Sequence, residues 1–536
     1  MNWIGDPLSA LALVVAAAWT AVVAAALTRE IAVPLLALLA APGAVLALLI
    51  WRREEAPAAL RAAAGWTAIL GGAVLAVYML TREPLAVLVA PTLLASALAT
   101  SRYPAVAVTA TFVLTGTYGS VTAFTPVPVG EAIDVLLAGL WLGVLWGYLF
   151  GDDRRPLWIW AGVAAATAYI GITAFQIALA DDTVGAFFSF RSSAWYMAAF
   201  LLIFLAPWPA ETRMRIAKGI AVTALAVGAY AVFRYLVGPA STEQELSLAR
   251  TGNPNFSDFV GSFTSSKDIA RWCSQVIPFC LALALVLKGR WRAVAAAASA
   301  LLAFALLAAD TRLQLLAVCG GVAVVLGLHH FARGLTGLRL GVTATAAIVA
   351  ALVGVAAFGL ATGFSEESTD RYGALFEPRE EKSFQARIQT WETVVDDIDE
   401  RPWGRGLGTV GVVNRRFGRF ASVSDQSLDN GYLKLALEQG IAVMVFFALA
   451  MVTLLYGLSR RAAHTGRPEA AALAIGAVGS LTSVLILATA GVPTDGFTAL
   501  ATWIIVGLGT AAFSRRERSR SPAREPAGPR ATAVPA

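Results

Sequence analysis

Apolar runs of about twenty residues, separated by polar connections, recur along most of the chain. They fall at roughly 8–28, 31–50, 62–80, 84–99, 104–121, 131–150, 157–179, 191–207, 215–236, 268–287, 291–309, 312–331, 338–360, 431–458, 469–490 and 497–513. A helix needs ~20 predominantly apolar residues to cross ~30 Å of hydrocarbon. The pattern therefore predicts an all-α polytopic membrane protein with about 12–16 transmembrane helices. The shortest runs, 84–99, 104–121 and 191–207, fit a tilted or re-entrant helix as well as a span. The N-terminus, MNWIGDPLSALALVV, lacks a positive n-region and its apolar run continues to about Leu27. That predicts a retained first helix, not a cleaved signal peptide.

The polar positions orient these runs. With the tail SRRERSRSPAREPAGPR taken as cytoplasmic, the connections on the same side become WRREEAPAALR, SRYP, GDDRRP, ETRMRIAK, KGRWR, HHFARGLTGLR and SRRAAHTGRPE. Each carries at least one basic residue, as cytoplasmic loops do, whereas the opposite short connections TRE, TREP and GVPTDG are poor in basic residues, with one or none. Both termini are thus expected on the cytoplasmic side. Two long polar segments then fall outside: about Gly238–Lys267, and about Ala361–Asn430 with 13 acidic and 9 basic residues. The expected organisation is N-terminal transmembrane helices over 1–240, then helices with the first polar outer loop over 241–360. A large extracytoplasmic loop follows at 361–430, then three C-terminal transmembrane helices at 431–513 and a disordered basic tail at 514–536.

Composition agrees. The 536 residues are 58% hydrophobic and 14% charged, against about 25% charged in an ordinary soluble chain. A net charge of +6 invites a nucleic-acid reading, but the basic residues sit in short clusters between apolar runs, as topology places them. Cys273, Cys280 and Cys319 lie in apolar runs with no metal spacing. The three histidines, His329, His330 and His464, fall on the cytoplasmic side.

Candidate chemistry begins with charges that topology does not require. Arg312 opens a run in ADTRLQ beside Asp310, Arg191 opens another in FSFRSSAWY, and Lys267 and Arg271 open a third in SSKDIARW. Arg234 lies inside an apolar stretch near its outer end. Ionisable residues at membrane depth usually face a protein interior or cavity, and arginine forks bind phosphate bidentately. Each arginine alone also fits snorkelling or a carboxylate pair; as a set they suggest an anion site. In the large loop, SFQARIQTWETVVDDIDERP predicts an amphipathic helix, with Phe384, Ile388, Trp391, Val395 and Ile398 at spacings of 4, 3, 4 and 3 and Arg387 one turn from Trp391. Pro402 ends it, and Gly404, Gly406 and Gly408 form a turn that suits either a backbone bend or close approach to a ligand. Lys434 and Glu438 stand at i,i+4 on the next helix, where they can pair. At ~1.5 Å per residue Glu438 is expected about 13 Å along that helix from Asp429. Asp429 itself suits an N-cap.

From about Arg371 to Ala450 the chain resembles the O-antigen ligase and polymerase family of bacterial envelope enzymes. The likeness rests on Arg387, Trp391, RPWGRGLGTVG and DNGYLKLALEQG, in which nine residues separate Asn430 from Gly440. Upstream, GSFTSSKDIA and ADTRLQ also resemble family segments, extending the likeness over about Arg250 to Phe513. The ligases carry His where this chain has Asp429, and no outer-face histidine is expected to replace it.

The resemblance implies a GT-C-like glycosyltransferase moving a glycan from a polyprenyl diphosphate to an acceptor hydroxyl at the outer face, as a polymerase or ligase. It implies Asp429 as general base with Asn430 orienting it or the acceptor. Arg312 and Arg387, then Arg191 and Arg271, and more weakly Arg405, hold the diphosphate without a metal or other cofactor. Expected partners are the lipid-linked donor, a glycan, lipid or protein acceptor, and membrane lipid. The competing class is a transporter or flippase for lipid-linked glycans, which usually shows internal repeats with broken helices; no such repeat is evident.

Overall fold

The computed structural model describes residues 86–125, 129–150, 159–251, 259–309, 311–332, 382–410, 428–489, 491–492 and 496–514. The runs expected at 8–28, 31–50, 62–80 and 338–360, much of the large loop, and the tail from 515 lie outside the described residues. The described elements are helical: α1 (Ala86–Arg102), α2 (Pro104–Phe124), α3 (Val129–Phe150), α4 (Ala161–Leu179), α5 (Thr183–Phe190), α6 (Tyr196–Leu205), α7 (Ala210–Val237), α8 (Ser241–Thr251), α9 (Ser266–Val286), α10 (Arg290–Ala308) and α11 (Arg312–Ala332). After these come α12 (Lys382–Glu400), α13 (Gly431–Gln439), α14 (Ile441–His464), α15 (Pro468–Leu487) and α16 (Phe497–Ala511). Among the described residues nine helices are long and apolar enough to span a membrane, and two shorter apolar helices accompany them. The protein is an all-α polytopic membrane protein.

The helices divide into two compact units, the first formed by residues up to Ala107 with Gly130–Trp146, the second by Val108–Val129 with Gly147 onward. In the first, glycines let α1 and α3 approach: a Cβ on Gly139 would meet the Ser96 side chain, and one on Gly143 would meet the Ala97 carbonyl. Ser96 Oγ donates to the Leu136 carbonyl at 2.9 Å.

The second unit is built around α9, α15 and α16, whose residues are mostly buried. Small residues bring their backbones close, as helices in lipid require: Gly476 receives Phe279, and Gly479 receives Pro278 and Val325. Trp272, fully buried, stacks near Phe112 and Phe263 and donates to Thr115 Oγ1 at 3.1 Å. Around this centre pack α6, α10, α11 and α14, with α7 against α10 and α4 against α14.

Three departures from the sequence expectation concern the site. The run beginning at 191 is entered earlier: α5 passes through a π-turn, Arg191–Trp195, directly into α6, so Arg191 sits within a continuous helical element. The run 431–458 is two helices, because Gly440 adopts φ 92° and separates α13 from α14. A side chain there would also strike the Trp403 carbonyl group, at 2.8 Å from a Cβ. On α12 the buried stripe is Trp391, Val394 and Ile398, while Val395 is exposed; the i,i+3,i+7 register wins over i,i+4,i+7 because it meets α13.

Candidate functional site

The candidate residues gather where α12 meets α13. Val394 and Ile398 of α12 form a small core with Val410, Leu428, Ala436 and Leu437, against which Trp391, Leu433 and Met444 pack. Arg387 lies on the same stripe, one turn before Trp391. Burying that stripe brings the guanidinium to the start of α13, where Arg387 Nη2 stands 3.7 Å from Asp429 Oδ2. The two side chains are 36% and 39% exposed, so the pair faces solvent and remains open to a ligand.

Asp429 does not cap α13. Asn430 does, its Oδ1 accepting from Tyr432 N at 3.0 Å and Leu433 N at 3.1 Å. The short Asn side chain suits the cap geometry, which leaves the Asp429 carboxylate out of the helix hydrogen bonding and turned toward Arg387.

The glycine turn is a clamp on α13. Arg405 N donates to the Leu437 carbonyl at 2.8 Å, Gly406 N to the Glu438 carbonyl at 3.0 Å, and Ile441 N to the Pro402 carbonyl at 3.0 Å. Gly404, Gly406 and Gly408 all have positive φ, and a Cβ on Gly408 would lie 2.4 Å from the Gly185 carbonyl carbon and oxygen. The close backbone approach that the spacing suggested is made to the protein's own helices. Arg405 is drawn into the same clamp by an ion pair with Asp397.

Under the clamp lies Glu438, 3% exposed. It accepts from Ser189 Oγ at 3.2 Å and from Gly408 N at 3.2 Å, and Lys434 Nζ stands 4.0 Å away. The i,i+4 pairing expected from the sequence is formed, and two partners from other elements join it. Buried charge survives only when paired and hydrogen-bonded, so Glu438 ties together α5, the glycine turn and α13. The neighbouring Gln439 is held by α4: Thr173 Oγ1 donates to its Oε1 at 3.3 Å and Gln176 Nε2 to its carbonyl at 3.3 Å. At the other end of α13, Gly431 N donates to the Ala488 carbonyl at 2.8 Å, just past α15. The helix thus runs between the ends of α15 and α4 instead of descending as part of a span, and Glu438 is buried by protein at the bundle end.

Arg191, Arg271 and Arg312 belong to this end. Ser192, beside Arg191, accepts from Gly496 N at 2.8 Å. The adjoining Phe497 packs on Tyr118, ring centroids 5.3 Å apart. Tyr118 donates to Asp268 Oδ2 at 2.7 Å, and Asp268 Oδ1 stands 3.7 Å from Arg271 Nη1. Gly320 and Gly321 of α11 face Ile486 and Ser483 of the antiparallel α15, which puts Arg312, two turns earlier on α11, beyond the end of α15 where Ala488 holds Gly431. Arg191, Arg271, Arg312 and Arg387 therefore share one end of the second unit with Asp429. Arg234 does not join them: Glu243 pairs with it at 3.0 Å and also accepts from the Ala240 N–H, anchoring α8.

The opposite end is basic and tryptophan-rich. Arg461 lies over Trp160, Lys218 and Arg290 over Trp291, and Arg467 donates to the Ala512 carbonyl. His329, His330 and His464 all close helices there, so none of the chain's three histidines lies near Asp429. Sequence reasoning missed Ser189 and Asp268. Asp268 had a signal, an acid three residues before Arg271; Ser189 had none.

The O-antigen ligase family model matches residues 297–448. Over those residues the chain is similar to the O-antigen ligase family. The match takes in Arg312, Arg387, Arg405, Asp429, Asn430, Lys434 and Glu438, and leaves Arg191, Asp268 and Arg271 outside it. No curated protein matches the chain. The similarity supports glycan transfer of the ligase/polymerase type in general.

Proposed function

We propose that this end of the bundle transfers a glycan from a polyprenyl diphosphate carrier to an acceptor hydroxyl at the outer face of a bacterial cytoplasmic membrane. The observation that carries the reading is the Arg387–Asp429 pair, a cation and a carboxylate 3.7 Å apart and partly exposed, at the end where Arg191, Arg271 and Arg312 also lie.

The acceptor oxygen attacks the anomeric carbon, the bond from that carbon to the diphosphate oxygen breaks, and Asp429 takes the hydroxyl proton. The departing electron pair leaves on the diphosphate, whose charge Arg387, Arg312, Arg191 and Arg271 stabilise. Asn430 keeps the start of α13, and so Asp429, in place. Arg405 serves the clamp through Asp397. With the basic, tryptophan-lined end in the cytoplasm, as basic connections prefer, the site end faces outward and both termini inward. A flippase reading is weaker, because its charges should be distributed through the membrane, whereas these collect at one end.

The test is release of polyprenyl diphosphate by the purified protein supplied with lipid-linked glycan from the host membrane, beside an Asp429→Ala sample. Release by the unaltered protein alone supports the reading, and a ladder of glycan lengths assigns polymerisation over single transfer. Equal release by both proteins removes Asp429 from the reaction.

A further inference from the structure

Trp403 is 85% exposed, although it lies in a turn that is otherwise clamped onto the protein. Its backbone is fixed against the first residues of α14: Ile441 N donates to the Pro402 carbonyl at 3.0 Å, and Gly440 abuts the Trp403 carbonyl. The indole therefore projects beside the head of α14.

One face of α14 is apolar and uncovered. Ile441, Val445, Leu449, Val452 and Tyr456 are all exposed, at spacings of 4, 4, 3 and 4, a single stripe along the helix. The opposite face, with Phe447, Met451, Leu454 and Leu458, is buried. In a helix of this length and hydropathy the uncovered stripe is the lipid-facing side. It runs about 23 Å from Ile441 to Tyr456 at ~1.5 Å per residue, within the ~30 Å of the hydrocarbon core. Tyr456 and then the exposed Arg460 finish it at the basic end. Trp403 finishes it at the site end. An aromatic residue at each end of a lipid-facing stripe is the arrangement of an interfacial belt, in which an amphipathic ring sits at headgroup level.

We infer that Trp403 inserts into the headgroup–glycerol region of the bilayer and anchors the glycine turn there. The partner is the phospholipid surface itself, contacted continuously with the lipid-facing stripe of α14. This anchoring is independent of the glycan-transfer reading. It also sets a level: the clamp over Glu438, and with it α13, is tied to the depth of the lipid headgroup phosphates.

The test uses the full chain in nanodiscs with Trp403→Cys labelled by a bimane fluorophore, the unaltered chain serving as background for its own cysteines. Gln389→Cys on the exposed side of α12 is the aqueous reference, and Leu449→Cys the deep-lipid reference. Nitroxides near the headgroup should quench the label at position 403 at least twofold more than nitroxides deep in the acyl chains, with iodide quenching well below that at position 389. Iodide quenching equal to the aqueous reference, with no lipid quenching, overturns the inference by placing the turn in water. Quenching that follows position 449, or protection from all quenchers, overturns it equally, by placing the side chain in the hydrocarbon or in a protein contact. None of these outcomes depends on catalysis, so failure of the anchor leaves the proposed reaction standing, and the reverse also holds.

Discussion

Arg387 Nη2 stands 3.7 Å from Asp429 Oδ2, joining a helix of the large loop to the first residues of α13. The two residues are 42 positions apart, and only the packing of Trp391, Val394 and Ile398 against α13 brings them together. The pair matters for its accessibility. A partly exposed ion pair contributes roughly 0–1 kcal/mol to stability, so its placement is better explained by what it can bind.

Asp429→Asn keeps the size of the side chain and removes the proton acceptor. The variant is expected to insert and fold as the unaltered protein does, and to lose about 10²-fold or more in the rate of polyprenyl diphosphate release, the range for removal of a general base. Full activity with normal expression would take Asp429 out of the mechanism.

Arg387→Lys tests the fork. Lysine retains the charge but not the bidentate geometry. The expected result is a roughly tenfold or greater loss in kcat/KM for the lipid-linked donor, with the thermal midpoint unchanged because the site is exposed. A large fall in the midpoint with unchanged kcat/KM would make Arg387 structural.

Glu438→Ala should be the most damaging of the single changes to the folded state. It leaves Lys434 buried without its carboxylate, and removes the acceptor of Ser189 Oγ and Gly408 N. Breaking one side of a buried pair costs about 3–5 kcal/mol. Combining Glu438→Leu with Lys434→Met should recover much of that loss, as measured by denaturation in detergent. No recovery would indicate that the hydrogen bonds to Ser189 and Gly408 carry most of the effect.

Two glycines of the same turn should differ. A Cβ on Gly408 meets the Gly185 backbone at 2.4 Å, whereas at Gly406 it meets only Thr409 Cγ2 at 3.9 Å. Both have positive φ, so each alanine bears backbone strain of about 1–3 kcal/mol, and Gly408→Ala adds a collision. Limited proteolysis between α12 and α13 should be faster in Gly408→Ala than in Gly406→Ala.

On α12, Ile398→Ala should cost about 2–5 kcal/mol, as a buried truncation does, and Val395→Ala within about 0.5 kcal/mol, as an exposed change does. Equal effects would contradict a register that buries Ile398 and exposes Val395.

Hydropathy alone settled the class of molecule. Twenty-residue apolar runs have one stable form in lipid, the helix, because every backbone group must be satisfied within the segment. The amphipathic loop helix, the glycine-rich turn, the Lys434–Glu438 pairing and the neighbourhood of Asp429 were legible in the same way, since each is a local pattern. Packing between distant segments set the rest. Asn430 is the cap and Asp429 is not, because the contact with α12 gives Asp429 a different partner. Val394 is buried and Val395 is not, because α13 lies on one side only, and helical spacing alone allows either. Gly440 divides what hydropathy joins, since the average over a window does not register one residue at positive φ. Ser189 becomes a partner of Glu438 across 249 positions. A contact of that kind has no local pattern, because it is the packing of helices distant in sequence that creates it.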